Sequence, residues 1–116
     1  MADDLFGVHG RALALRSQRL GLLASNIANA STPGFKAKDI DFATALTAAE
    51  APGSNISSAI QSATKFRVPL QASLDGNTVE LNTEQTKFAE NAIAYQTTLS
   101  FLNGRIDTLK RALKGE

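Results

Sequence analysis

Cysteine and tryptophan are absent from the 116 residues, and histidine and tyrosine occur once each. The first absence excludes disulfides and thiolate chemistry and fits either redox compartment. His9 stands alone, with no carboxylate pairs spaced around it, so no metal site is expected and His9 reads as a helix surface residue. No nucleophile beside a histidine base, no phosphate-cradling glycine loop and no sheltered carboxylate dyad occurs. Neither catalysis nor a bound cofactor is expected. Long apolar runs are missing too: none approaches the ~20 residues of a membrane span. The start lacks the basic-then-apolar pattern of a cleavable signal, so any export is expected to leave the N-terminus unclipped. Nor does one sign of charge prevail. Twelve Lys and Arg stand against eleven Asp and Glu, formal net +1, which argues against nucleic acid as the main partner.

What the chain does have is a heptad stripe. From Phe88, steps of four and three residues land on Ala92, Tyr95, Leu99, Leu102, Ile106, Leu109 and Leu113. An α-helix turns every ~3.6 residues, so a stripe repeating every ~3.5 follows one face and suits a supercoiled partner. Asn82, with Gln85 three residues on, suits a cap; Glu84 meets the positive end of the dipole, and Lys110, Arg111 and Lys114 the negative end. The pattern predicts a C-terminal helix over 83–114.

A second helix is expected over 1–30, beginning near Leu5 with Asp3 and Asp4 as caps. Its stripe includes Phe6, Leu13, Leu20, Leu23, Ile27 and Ala30. Gly7, Gly10 and Gly21 each cost it about 1 kcal/mol against alanine, so it is expected to firm up only against closely packed partners. Between the helices, 31–82 is expected to be irregular. Thr32 precedes a proline, and Pro33-Gly34 suits the centre of a type II turn. Lys36 to Phe42 reads as a short extended piece and Ala43–Glu50 as two helical turns. The rest of 43–64, rich in alanine, serine and threonine, reads as a mobile loop. A short β-hairpin is expected from Phe66 to Leu74, turning at Asp75-Gly76 and returning through Val79 and Leu81, with Pro69 confining it to an edge.

The fold class is therefore mainly α, a single domain of long N- and C-terminal helices packed as a coiled-coil hairpin. Two helices share only one seam. Leu15 and Leu22 on the first, and Ile93 and Phe101 on the last, are expected to lack cover, leaving an isolated monomer partly folded.

The stretch Leu20–Lys36, LGLLASNIANASTPGFK, resembles the N-terminal signature of the flagellar rod and hook axial proteins. Ala37–Phe42, Ser73–Leu81 and Lys87–Gln96 with Phe101–Arg105 are similar to the proximal-rod members of that family, whereas 43–65 matches nothing. The resemblance implies a structural subunit of the bacterial flagellar basal body, in the periplasmic rod, that self-associates through its terminal helices and transmits torque toward the distal rod and hook. It implies export, unfolded and uncleaved, by the flagellar type III apparatus. Implied neighbours are other rod proteins such as FlgC and FlgF and the basal-body adaptor FliE. Two other identities compete: a non-polymerising coiled-coil adaptor or secretion chaperone, and a paralogous rod protein.

Particular residues take roles on this reading. Leu13, Leu20, Leu23 and Ile27, with Phe88, Tyr95, Leu99, Leu102, Ile106, Leu109 and Leu113, are the expected assembly interface. Asn26, Asn29, Pro33, Gly34 and Phe35 form the turn motif. Capping is the favoured role of Asn29, while Asn26 is balanced between capping and contact with a neighbouring subunit. Arg11, Arg16 and Arg19 form a solvated basic face or pair with Glu84 or Glu90 of an adjacent subunit. Phe42 and Leu46 resemble the phenylalanine-to-aliphatic export signal of early flagellar substrates, with local packing as an equal alternative.

Overall fold

The computed structural model describes the backbone of residues 2–115 and the side chains of residues 7–115. The cap roles of Asp3 and Asp4 and the stripe role of Phe6 fall outside those side chains. Six elements follow in order: α1 (Ala2–Ala28), β1 (Lys38–Ile40), α2 (Phe42–Glu50), α3 (Ile56–Ala63), β2 (Thr64–Phe66) and α4 (Leu81–Lys114). The molecule is mainly helical, and its two long helices pack antiparallel: Asn26 meets Glu84, Arg16 meets Asn91, and His9 meets Phe101. Gly7 interrupts α1 with φ 54° and ψ −136°, a conformation that glycine adopts without a Cβ penalty. The regular run of α1 therefore ends just beyond Phe101, and the last turns of α4 continue past it.

Asn82 does not cap α4. The helix already starts at Leu81, with Glu80 at the cap position and no side-chain cap bond, which places Asn82 inside the first turn. At the other end Gly115 closes the helix at φ 76°, and Arg111 and Lys114 lie in the last turn.

The middle departs most from expectation. Residues 56–63 are helical, not a mobile loop, because Asn55 accepts from Ser58 N at 2.8 Å and Ile56, Ala59, Ile60 and Ala63 share one side of the helix. Asp41 likewise caps α2, accepting from Thr44 N at 3.3 Å. The two short strands pair antiparallel, Lys38 with Phe66, Asp39 with Lys65 and Ile40 with Thr64. This is not the expected pairing of 66–74 with 79–81. Asp75-Gly76 does turn, with Gly76 N donating to Ser73 O at 3.2 Å, but its arms do not form a ladder. Thr78 bonds to the other strand-like stretch instead: its N–H donates to Phe35 O at 2.9 Å and its Oγ1 accepts from Ala37 N at 2.8 Å. Pro69, which has no N–H to donate, keeps Val68 and Leu70 in an unpaired extension.

These pieces have a purpose in packing. Leu15, Ile40, Ala45 and Ala63 are buried together, with Leu22, Phe42, Leu46, Ile56 and Ile60 against them. The flank of α1 expected to be open at Leu15 and Leu22 is thus covered by the chain's own middle. Alanines at 45, 59 and 63 let α2 and α3 lie close to α1 where bulkier residues would hold them off.

Candidate assembly surface

The helix pair uses the predicted stripe only in part. On α4 the buried residues are Glu84, Asn91, Thr98 and Leu102. Phe88 and Tyr95 are half-buried and, with Leu102, supply one heptad position. The alternate position of the buried face holds Glu84, Asn91 and Thr98, not the apolar Ala92, Leu99 and Ile106, which are half-buried to one side. Leu109 and Leu113 are exposed. On α1, Leu23 is fully buried, while Leu13, Leu20 and Ile27 are half-buried. Five large apolar side chains on α4 remain open: Leu81 at 43 %, Ile93 at 68 %, Phe101 at 46 %, Leu109 at 38 % and Leu113 at 88 %.

The polar residues in the seam are held by specific partners. Asn26 Nδ2 donates to Glu84 Oε2 at 2.9 Å and to Lys38 O at 2.7 Å, while its Oδ1 accepts from Lys38 N at 3.2 Å. One amide side chain therefore ties α1 to β1 and to α4. Neither role expected of Asn26, cap or intersubunit contact, is the one it has within this chain. Arg67 Nε lies 2.6 Å from Glu84 Oε1, an ion pair whose N–H points off the line of a directed hydrogen bond. Arg67 also donates to Asp39 Oδ2 at 2.9 Å, and Arg19 grips the same carboxylate through two bonds of 2.7 and 2.8 Å. Arg19 and Glu84 are thus engaged inside one chain. Burial pushes the Asp39 carboxyl upward; the Arg19 hydrogen bonds and charge, the Ile40 N–H and the Arg67 charge outweigh it and leave it below its ordinary value. The hydrogen bond to Asp39 is the chief cause that raises Arg19.

Asn91 Nδ2 donates to Arg16 O at 2.8 Å. The Arg16 guanidinium sits over the Phe42 ring, 4.3 Å from its centroid, and burial followed by the nearby charge of Arg19 lowers its pKa. Phe42 and Leu46 pack half-buried against the core, the local role anticipated as their alternative. His9 is a half-buried helix residue whose ring packs against Phe101, with centroids 4.3 Å apart and the planes tilted by 41°. Around these residues Val8, Ala12, Phe42, Leu46 and Phe101 wall a groove of about 310 Å³. Among the described residues no group of three His, Cys, Asp or Glu is arranged for a metal, and no helix is long and apolar enough to cross a membrane.

The turn motif is where two quoted stretches meet. Asn29 Nδ2 donates to Ser25 O at 2.8 Å and its Oδ1 accepts from Thr32 Oγ1 at 3.0 Å, so Asn29 closes α1 as expected. Phe35 N donates to Thr32 O at 3.2 Å across Pro33-Gly34, with Gly34 at φ 74°, a type II turn. A residue that the sequence did not single out holds this loop. Asn77 is buried, and its Nδ2 lies 2.9, 3.0 and 2.8 Å from the carbonyls of Asn29, Ala30 and Thr32. Gly34 N donates to Asp75 O at 2.8 Å, completing the clasp.

This clasp and the paired helices lie in segments shared with known proteins. The family model described as flagella basal body rod protein matches residues 6–36, from α1 through the Pro33-Gly34 turn. Over nearly its whole length the chain is similar to flagellar basal body rod proteins FlgB. It is 47 % identical to that of Cereibacter sphaeroides, over 97 % of this chain and 96 % of that one. The Aeromonas hydrophila protein is 47 % identical over 98 % of this chain and 96 % of its own. For Escherichia coli (strain K12) the identity is 41 % over 89 % and 88 %. On this likeness through both helices and the middle, the chain belongs to the FlgB family and is a component of the flagellar basal body rod.

Proposed function

We propose that the chain is a self-assembling subunit of the proximal rod, exported unfolded and completed by neighbours that cover the apolar side chains α4 leaves open. The single observation that supports this most is the set Ile93, Phe101, Leu109 and Leu113, exposed large apolar residues of α4: Ile93 and Phe101 lie outside its seam with α1, and Leu109 and Leu113 continue the seam stripe past the end of the regular run of α1. Burial of each of these side chains against a neighbour stabilises by about 1.5–3 kcal/mol. On this reading α1 and α4 carry torque along the rod as a stiff pair. The neighbours are further copies and other rod proteins such as FlgC and FlgF, with the adaptor FliE at the membrane-proximal end. Phe42 and Leu46 act in export, and because the fold half-buries them they are readable only in the unfolded chain.

The test is complementation of a strain lacking this subunit with Ile93→Ser and Phe101→Ser together. The monomer is expected to stay folded with a slightly lowered melting point, since Phe101 also touches His9, while basal bodies stop before the distal rod and motility is lost; Ile93→Ser alone, at a side chain 68 % exposed, is expected to melt as the parent does and still to impair assembly. Normal rods would reject the reading. Seeded polymerisation of the parent separates a rod subunit from a non-polymerising adaptor or chaperone.

A further inference from the structure

We propose that the outer edge of β2 takes up, as an added antiparallel strand, an extended segment of a different protein in which apolar and acidic residues alternate. The site shares no residue with the open side chains of α4, so it stands apart from the rod reading.

The two-stranded sheet has two outer edges, and the chain itself fills one of them. Asp41 N donates to Ala63 O at 3.0 Å and Arg67 N to Ala37 O at 2.8 Å, so Lys38–Phe66 and Ile40–Thr64 are the non-hydrogen-bonded pairs of the ladder. Their backbone groups point away from the partner strand. On β1 these outward groups are engaged: Asn26 bonds both the N–H and the C=O of Lys38, and Ile40 N donates to Asp39 Oδ1 at 2.7 Å. On β2 the C=O of Thr64 and both backbone groups of Phe66 point outward. Among the described residues nothing bonds to them or to the Val68 N–H that follows. The free edge ends at Pro69 and at Leu70, whose N–H donates to Glu80 Oε2 at 3.2 Å. Such an edge is a template for an extended segment.

Side chains along the edge define what fits. Phe66 and Val68 are exposed, and strand alternation puts them on one face with Lys38, whose Nζ lies 5.3 Å from the Phe66 ring centroid. Lys65, on the other face, is exposed and forms no ion pair among the described residues. Asp41, whose charge reaches Lys65, is occupied in capping α2. A cavity of about 320 Å³ lies against the strand, lined by Lys38, Ile60, Gln61, Thr64, Lys65 and Phe66, with two lysines and no acid. In an added strand an apolar residue opposite Phe66 packs on its ring, and the acidic residues beside it reach Lys65. A second copy does not offer this. Reciprocal pairing about Phe66 sets Lys65 opposite Arg67, like charges across the ladder. Its unpaired extension 67–74 holds no acid, and its described acids sit on helices, in the paired β1, or at caps and turns.

The test uses the full chain and two short end-blocked peptides, one alternating valine with glutamate and its twin alternating valine with lysine. Affinity is read by fluorescence anisotropy, the site by amide hydrogen exchange, and self-association by sedimentation equilibrium. The glutamate peptide is expected to bind about tenfold tighter than the lysine twin, to weaken with salt, and to slow exchange at the Phe66 and Val68 amides. Proline is tolerated at an edge position whose N–H faces solvent. Phe66→Pro is therefore expected to melt near the parent and to lose the peptide, while Phe66→Val, which keeps the N–H, retains it. Lys65→Glu is expected to turn the preference toward the lysine peptide, which a misfolded chain would not do. Equal binding of both peptides, binding of neither, or retention by Phe66→Pro would each overturn the proposal. So would slowed exchange only elsewhere, or a dimer of the parent that Phe66→Pro dissolves.

Discussion

Asn26 and Glu84, 58 residues apart in the chain, share a buried hydrogen bond of 2.9 Å that joins the end of α1 to the start of α4. The carboxylate is fully buried, and Arg67 supplies its countercharge. Removing one partner of a buried pair strands the other charge, a loss of about 3–5 kcal/mol, whereas replacing both with apolar residues is often close to neutral. Arg67→Met is therefore expected to lower the urea midpoint sharply, and Arg67→Met with Glu84→Leu to recover most of it. Equal destabilisation by the single and double variants would show that Arg67 acts through Asp39 alone.

Asn77 governs the turn that follows α1. Asn77→Ala leaves three carbonyls without their amide donor and is expected to cost about 2 kcal/mol, within the usual range for buried unsatisfied groups. Asn77→Asp, nearly the same shape, puts an acceptor against those carbonyls and is expected to cost more. Thermal melts of both variants check the order, and Asp milder than Ala would contradict the assignment.

The Asp39 carboxyl has a pKa held below its ordinary 3.8 in the folded chain. The unfolded chain then binds the proton more readily, so stability is fully present above the ordinary value and falls as pH drops through the folded one. Urea unfolding from pH 7 down to about pH 3 is expected to show this loss at the acid end. In Asp39→Asn, which is less stable at pH 7, the acid-end slope is expected to be shallower. An unchanged slope would place the proton uptake elsewhere, with Asp41 and Asp75, also lowered, as the alternatives.

Gly21 is exposed in the middle of α1, and a Cβ there would meet nothing within 4 Å. Gly21→Ala is expected to stabilise the isolated chain by about 1 kcal/mol. If a neighbouring backbone packs here in the rod, the same methyl weakens assembly. Melting temperature and rod yield are expected to move in opposite directions; both rising would remove Gly21 from the interface.

The helices and the turn were legible because each has a local signal: periodicity in α1 and α4, and Pro33-Gly34 in its type II turn. The phase of the seam was not. Glu84, Asn91 and Thr98 recur every seven residues, as Phe88, Tyr95 and Leu102 do, but polar side chains at buried positions read as solvent-facing until their partners are known. Those partners, Asn26, Arg67 and the Arg16 carbonyl, are distant in sequence. For α3 a signal was present in the Asn55 cap and in Ile56, Ala59, Ile60 and Ala63. Serine and alanine content concealed it, and with it the cover over Leu15 and Leu22.

The absence of cysteine permits one direct measurement on the central claim. Single-cysteine variants Ile93→Cys and Phe101→Cys, with Ser54→Cys as an exposed reference on the connection between α2 and α3, are treated with a maleimide as monomers and in purified basal bodies. All three thiols are expected to react quickly in the monomer, with those at 93 and 101 strongly protected in the basal body relative to 54. Unchanged reactivity of 93 and 101 on assembly would contradict the completion of α4 by its neighbours.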